Sequence, residues 1–260
     1  MAELRRRAAR RLGAEVRGRL RTHLLGAPPA VGQVRFGQLR RLTPVSRSFG
    51  FDRGQPVDRY YIEAFLRRHA GAAGYGMGDI AGSVLEVGGD EYARRFGGWG
   101  GDARSAVRSL DILHADASNP LATIVGDLAT GESLASERFD CVICTETLHV
   151  IYDVQAAVRT LHRVLKPGGV ALVTVAGITQ TCRPDRDLWG DYWRFTTLSA
   201  RRLFESAFPA EDVRVEAFGN VLASVAFLHG LAAEELRPEE LDARDPDYEM
   251  LIAIRAVRRP

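Results

Sequence analysis

The chain has 260 residues, 46% of them hydrophobic and 26% charged, and its 35 basic and 33 acidic side chains nearly cancel. That composition excludes a disordered chain; with no apolar run of about 18 residues and no apolar leader in the first 25, it predicts neither a membrane span nor export, hence a cytoplasmic protein. The near-zero total hides a split, because residues 1–70 carry 16 arginines against 5 acids and the remainder carries 19 basic against 28 acidic side chains.

From Leu4 to Leu24 an apolar residue recurs at every fourth position (Leu4, Ala8, Leu12, Val16, Leu20, Leu24) with arginines between, the pattern of a basic amphipathic helix. Gly26 and the Pro28-Pro29 pair end it. Pro56 to Ala70 reads as a second helix, apolar along Tyr60, Tyr61, Phe65 and Leu66 and polar along Arg59, Glu63, Arg67 and Arg68. A glycine-rich link, Gly71 to Gly82, follows. Beyond it, short apolar runs alternate with longer amphipathic ones, the signature of βα units on a mostly parallel sheet. Strands are expected at Ser83–Val87, Val107–Ile112, Ala122–Val125, Phe139–Cys144, Gly169–Val175, Val213–Phe218 and Met250–Val257, with helices at Glu91–Phe96, Val154–Leu165, Leu198–Phe208 and Val221–Leu236.

The first strand ends in Glu86-Val87-Gly88-Gly89-Asp90, an acid, then glycines, then a helix start. Glycines there let a ligand approach the backbone, and the helix N-terminus favours an anionic group. A dinucleotide site needs Gly-x-Gly-x-x-Gly with its acid about 20 residues later, a spacing this turn lacks. Asp111 closes the second expected strand and Gly126-Asp127 the third. Phe139-Asp140-Cys141-Val142-Ile143-Cys144 leads to Glu146 and to Leu148-His149-Val150-Ile151-Tyr152-Asp153, and Leu161 to Gly169 spells Leu-His-Arg-Val-Leu-Lys-Pro-Gly-Gly.

In that order, over about residues 83–257, these segments resemble class I S-adenosylmethionine-dependent methyltransferases of the type 11 group. Asp58 to Glu63, Arg94 to Gly98 and Gly190 to Thr196 look like a bacterial subgroup often associated with glycosyltransferases. The resemblance implies a Rossmann-like α/β fold, a seven-stranded sheet mostly parallel with an antiparallel last strand, preceded by a helical segment. The expected division is 1–75, a basic helical segment or lid, and 76–260, the methyltransferase domain. The implied cofactor is S-adenosyl-L-methionine, held by Glu86, Gly88, Gly89, Asp127 and Glu146, with Asp111 favoured over Asp116 at the ribose because a link starting after Asp116 leaves few residues for a parallel crossover. Two positions depart from the family's glycine loop, which here carries Asp90 and Tyr92.

On the acceptor side, removing a hydroxyl proton and positioning the oxygen are the protein's tasks. His149, just past the fourth strand, is the candidate base, with packing on the adenosine as the alternative; Asp191 is a second candidate. Tyr192, Trp193 and Arg194 form an aromatic and charged cluster suited to sugars, or they bury a loop. Tyr60 and Tyr61 either cover the cofactor mouth and meet the acceptor or pack their helix. Cys141 and Cys144 fall three apart on a strand and so face opposite ways, and with Cys182 they make no tetrathiolate; no metal is expected. The acceptor is expected to be a sugar, glycan precursor or small metabolite. Nucleic acid methylation and a non-catalytic binding role are the alternatives; the first has only the arginine-rich front behind it and no recognisable nucleic-acid module. That front is read as a cover for the cleft, a dock for the acidic body or a second copy in a homodimer, or a contact with an anionic surface.

Overall fold

The computed structural model describes residues 28–70, 78–98 and 105–259. The chain divides into two compact units, Met1–Thr43 and Pro44–Pro260. In the first, the described part holds a single 3-10 turn, Gly37–Leu39, followed by Arg40, whose guanidinium lies 5.6 Å from the centre of the Phe36 ring. The expected helix Leu4–Leu24 lies outside the described residues.

The second unit is built on seven strands: β1 (Gly82–Val87), β2 (Val107–His114), β3 (Ile124–Val125), β4 (Phe139–Thr145), β5 (Leu165–Ala176), β6 (Val213–Phe218) and β7 (Leu251–Val257). Their order is β3-β2-β1-β4-β5-β7-β6. The first five run parallel, and β7 lies antiparallel to both β5 and β6. This is the mixed sheet expected above, with every strand at its expected place within a few residues.

The central strands are apolar almost throughout because both faces are covered. On one face Val84, Cys141, Ile143, Leu172, Leu251 and Ala253 pack under α1 (Val57–Arg68), α2 (Glu91–Gly97) and α6 (Val221–Leu228). On the other Leu85, Val142, Cys144, Val173, Ile252 and Ile254 pack under α3 (Val154–Val164) and α5 (Thr197–Glu205). Cys141 and Cys144 therefore do face opposite ways, and burial pushes both thiols up, that of Cys144 to about 12. Among the described residues no group of three or more His, Cys, Asp or Glu is arranged to hold a metal ion. Nor is any described helix long and apolar enough to cross a membrane.

Three departures from the sequence reading have local causes. Helix α1, assigned above to the front segment, buries Val57, Tyr61, Ile62, Phe65 and Leu66 in the core of the sheet unit. Each such side chain contributes about 1.5–3 kcal/mol, so the unit starts at Pro44 and not near residue 76. The helix expected over Val221–Leu236 stops at Leu228, because the chain entering at Val45 and Ser46 donates both backbone N–H groups to the His229 carbonyl. Gly230 then turns away with φ of +66°, where a Cβ would lie 2.3 Å from the Ser46 carbonyl oxygen. Two short helices, α4 (Arg183–Leu188) and α7 (Pro238–Asp242), have too few apolar residues to show a period.

The Lys166-Pro167-Gly168-Gly169 turn lies at the amino end of β5, where Lys166 Nζ donates to Asp140 Oδ2 at 2.8 Å. It fixes the β4–β5 edge opposite the strands' carboxyl ends. At the other end of β5, Gly177 donates its N–H to Met250 at 3.0 Å, and a Cβ on it would lie 1.9 Å from the Glu249 carbonyl oxygen. Backbone cannot yield there as a side-chain tip would. Gly177→Ala is expected to lower stability by about 3 kcal/mol, read from urea unfolding; an unchanged midpoint contradicts the tight β5–β7 junction.

Candidate active site

The carboxyl ends of β1, β2, β3 and β4 open into a cleft of about 700 Å³, within the ~300–1,000 Å³ of small-molecule sites. Its floor is made by Val87 and Gly88 after β1, Leu113 to Ala115 at β2, Gly126 to Ala129 after β3, and Thr145 to Thr147 at β4. The outer wall holds Val150 to Asp153, Asp185, Trp189 and Tyr192. The close β1 turn depends on Gly88, whose φ is +92° and whose missing Cβ faces open space. Asp127 lines the cleft and holds its loop by accepting the Ala129 N–H at 2.7 Å. Gly89 also has open space around its Cβ position but is not part of the wall.

A second, smaller cavity of about 190 Å³ adjoins the first. Asp58 and Arg59 of α1, Glu146, Asp185, Asp191 and Arg194 supply its charged groups, His149 an imidazole, and Phe49, Phe51 and Phe227 its apolar side. Glu146 and Asp185 line both spaces. Glu146 sits in the left-handed region, φ +46°, with its N–H bonded to the Thr174 carbonyl at 3.0 Å. Its Oε1 is buried without a hydrogen-bond partner, and burial raises its pKa to about 7.

The structure sorts the residues singled out from sequence. Gly88, Asp127, Glu146 and Tyr192 line the cleft; His149, Asp191 and Arg194 line the second cavity. Glu86 is turned elsewhere: its carboxylate accepts the Tyr92 and Ala93 N–H groups at 3.1 and 2.7 Å, closing the first turn of α2. Burial raises its pKa to about 7 even so.

Asp111 is displaced from its expected role, because β2 runs on to His114, which pairs with Val125. Inside the strand, Asp111 accepts Thr123 Oγ1 at 2.9 Å and binds Arg138 at 2.6 Å, away from the cleft. Asp116 follows the lining residues His114 and Ala115 and accepts the Ser118 N–H at 2.8 Å, a bond that with the Ser118 hydroxyl lowers its pKa. The order favoured from sequence is therefore reversed: Asp116→Ala is expected to weaken binding of S-adenosylmethionine more than Asp111→Ala. Titration calorimetry of the two variants decides it, and a larger loss in Asp111→Ala contradicts the strand register.

Tyr60 and Tyr61 do not reach either space; their hydroxyls donate to Asp242 at 2.7 Å and to the Leu241 carbonyl at 2.8 Å, so they fasten α1 to α7. Trp193 spends its indole N–H on the Ile151 and Tyr152 carbonyls at 3.1 and 3.3 Å and serves the loop. Asp191 is a poor base because Arg194 binds both its oxygens and holds its carboxyl below the usual range. His149 is buried, with Nδ1 unpartnered, and burial lowers its pKa, so the ring is neutral at pH 7. Asp58, Asp185 and the phenylalanines were not singled out from sequence, because no local spacing links residues 49, 58, 185 and 227.

Beside this strand order and the cleft at the carboxyl ends, residues 102–173 match the family described as a methyltransferase domain. The chain's match to the uncharacterized protein YafE of Escherichia coli (strain K12) is 34% identical over 87 residues, covering 32% of this chain and 41% of that protein. The chain thus matches well under half the length of that curated relative. Similar solved structures include an S-adenosylmethionine-dependent methyltransferase of Thermotoga maritima described as a possible histamine N-methyltransferase, with TM-score 0.49, 16% identity and coverage of 78% of this chain and 91% of that one. Another is an S-adenosylmethionine-dependent methyltransferase of Mesorhizobium loti, with TM-score 0.45, 17% identity and coverage of 78% and 98%.

Proposed function

We propose that this chain is an S-adenosylmethionine-dependent methyltransferase that methylates a hydroxyl of a sugar, a glycan precursor or a related small metabolite. The supporting observation is the junction at Glu146, where a cofactor-sized cleft opens into a second, partly charged cavity. A group-transfer enzyme needs two such adjoining spaces, one for donor and one for acceptor.

The residues present fit the donor. Gly88 leaves the β1 turn open, Leu113, Leu128 and Ile151 offer apolar walls for a flat ring, and Asp127 offers a carboxylate to hydroxyl or amine protons. When bound, the cofactor supplies an electrophilic methyl group on a sulfonium. His149 would take the acceptor's hydroxyl proton as the acceptor oxygen gains that methyl group, with S-adenosylhomocysteine as the leaving group. Burial keeps that imidazole neutral and so able to accept. Arg194, fixed by Asp191 and by the Gln180 carbonyl at 3.0 Å, and Arg59, fixed by Asp58 at 2.9 Å, position polar groups of the acceptor.

The test is transfer of labelled methyl from S-adenosylmethionine to panels of nucleotide sugars, glycosides, amines and RNA. Labelling confined to sugar hydroxyls supports the proposal. Labelling of amines or RNA alone overturns its acceptor class.

A further inference from the structure

Glu146 has features that proton transfer to His149 does not use. It is a carboxylate at the meeting of the two spaces, in a left-handed backbone conformation, with one oxygen buried and unpartnered. The other charged groups of the second cavity are arranged differently. Arg59 is tied to Asp58, and Arg194 to Asp191. The lining therefore presents two neutralised pairs, a neutral imidazole and Asp185 on α4, beside Glu146, one of whose oxygens is buried and left over.

We propose that the Glu146 carboxylate is the electrostatic partner of the donor's positive sulfur, selecting S-adenosylmethionine over S-adenosylhomocysteine. The inference rests on the reading of the cleft given above. A methyl group that passes from one space to the other must cross their junction, so the sulfur carrying it lies against the residues that line both, Glu146 and Asp185, and of these two Glu146 is the one with a buried oxygen left without a partner. Substrate and product differ there by one methyl and one positive charge. A carboxylate with one oxygen buried and unpartnered favours the cation far more than the same group does in water. Once transfer has neutralised the sulfur, the attraction is gone and the product leaves more readily.

The groups facing Glu146 are Asp58 and Arg59 from α1, Thr174 from β5, and Arg194 and His149 on the cavity side. Burial raises its pKa to about 7, with Asp58 adding to the rise and Arg59 opposing it. Binding a cation beside it lowers that value again. At pH 6.5, therefore, binding of S-adenosylmethionine displaces a proton from Glu146, and binding of S-adenosylhomocysteine does not.

The experiment is titration calorimetry of the whole chain with each ligand at pH 6.5, in two buffers of different ionisation enthalpy, on the wild type and on Glu146→Gln. The expected result is a wild-type preference of at least tenfold for S-adenosylmethionine with proton release on that ligand alone, and in the variant a loss of both while S-adenosylhomocysteine binds as before. Equal affinities and equal proton release for the two ligands in the wild type overturn the proposal without touching the cofactor reading. So does a variant that loses both ligands alike, the mark of a structural role. Failure of the wild type to bind either ligand overturns the cofactor reading itself. The wild-type proton count decides the matter even if the variant does not fold.

Discussion

Gly88→Leu is expected to weaken binding of S-adenosylmethionine at least about a hundredfold, equivalent to about 2.8 kcal/mol. Two effects add. The backbone at Gly88 has φ of +92°, a region in which an L side chain costs about 1–3 kcal/mol. A Cβ there meets no protein atom within 4 Å, so the new side chain projects into space bordering the cleft that Gly88 lines. Gly89 is the control: its φ lies outside the left-handed region, its Cβ position is equally open, and it is no part of the cleft wall. Gly89→Ala is therefore expected to leave the affinity within about threefold of wild type. Titration calorimetry separates the two, and equal effects would mean that the cofactor does not lie against the β1 turn.

His149→Ala is expected to lower the rate constant of methyl transfer by ~10²–10⁴, with affinity for S-adenosylmethionine unchanged. The split follows from position, since His149 lines the second cavity and not the cleft. The pH dependence carries a second signature. A general base works when deprotonated, and burial holds the His149 imidazole below its ordinary value of 6.5. Wild-type transfer is therefore expected to reach half its plateau at a pH below 6.5, falling as the ring gains its proton, whereas the variant lacks that limb. The sign is decisive, because a nearby anion strong enough to override burial would move the limb above 6.5. Asp191 and, less strongly, Asp185 pull in that direction, and Arg194 and Arg59 oppose them. A variant with wild-type rates assigns the proton to another group.

These expectations depend on features of unequal visibility in the sequence. The sheet was legible because its strands are buried on both faces: Phe139 to Cys144 and Val170 to Val175 are apolar runs that fit little else at that length. The β1 turn was legible for a similar reason, since only glycine adopts the Gly88 backbone at no cost. Asp111 was misplaced because Leu113 and His114 extend β2 by pairing with Ile124 and Val125, a choice made by a strand of two residues with no pattern of its own.

The acceptor side was legible in kind and not in detail. Tyr60, Tyr61 and Trp193 look like recognition residues when only their chemistry is known. Their polar atoms instead find Asp242, the Leu241 carbonyl and the Ile151 carbonyl, partners up to 182 residues away. Conversely, Asp58 entered only as the first residue of a resembling string and not as a site residue, yet α1 brings it to the same cavity as Glu146 and Arg194. What joins them is the packing of α1 on the sheet through Val57, Tyr61, Phe65 and Leu66, which a reading of that helix as a separate cover concealed.

The central claim is that the cleft at the carboxyl ends of β1 to β4 is a cofactor site. Its most direct test is equilibrium binding of S-adenosylmethionine to the whole chain, by calorimetry with thermal denaturation alongside. Saturable binding of one ligand per chain is expected, with a rise in melting temperature that grows with ligand concentration and displacement by S-adenosylhomocysteine. No heat and no thermal shift at millimolar ligand would contradict it.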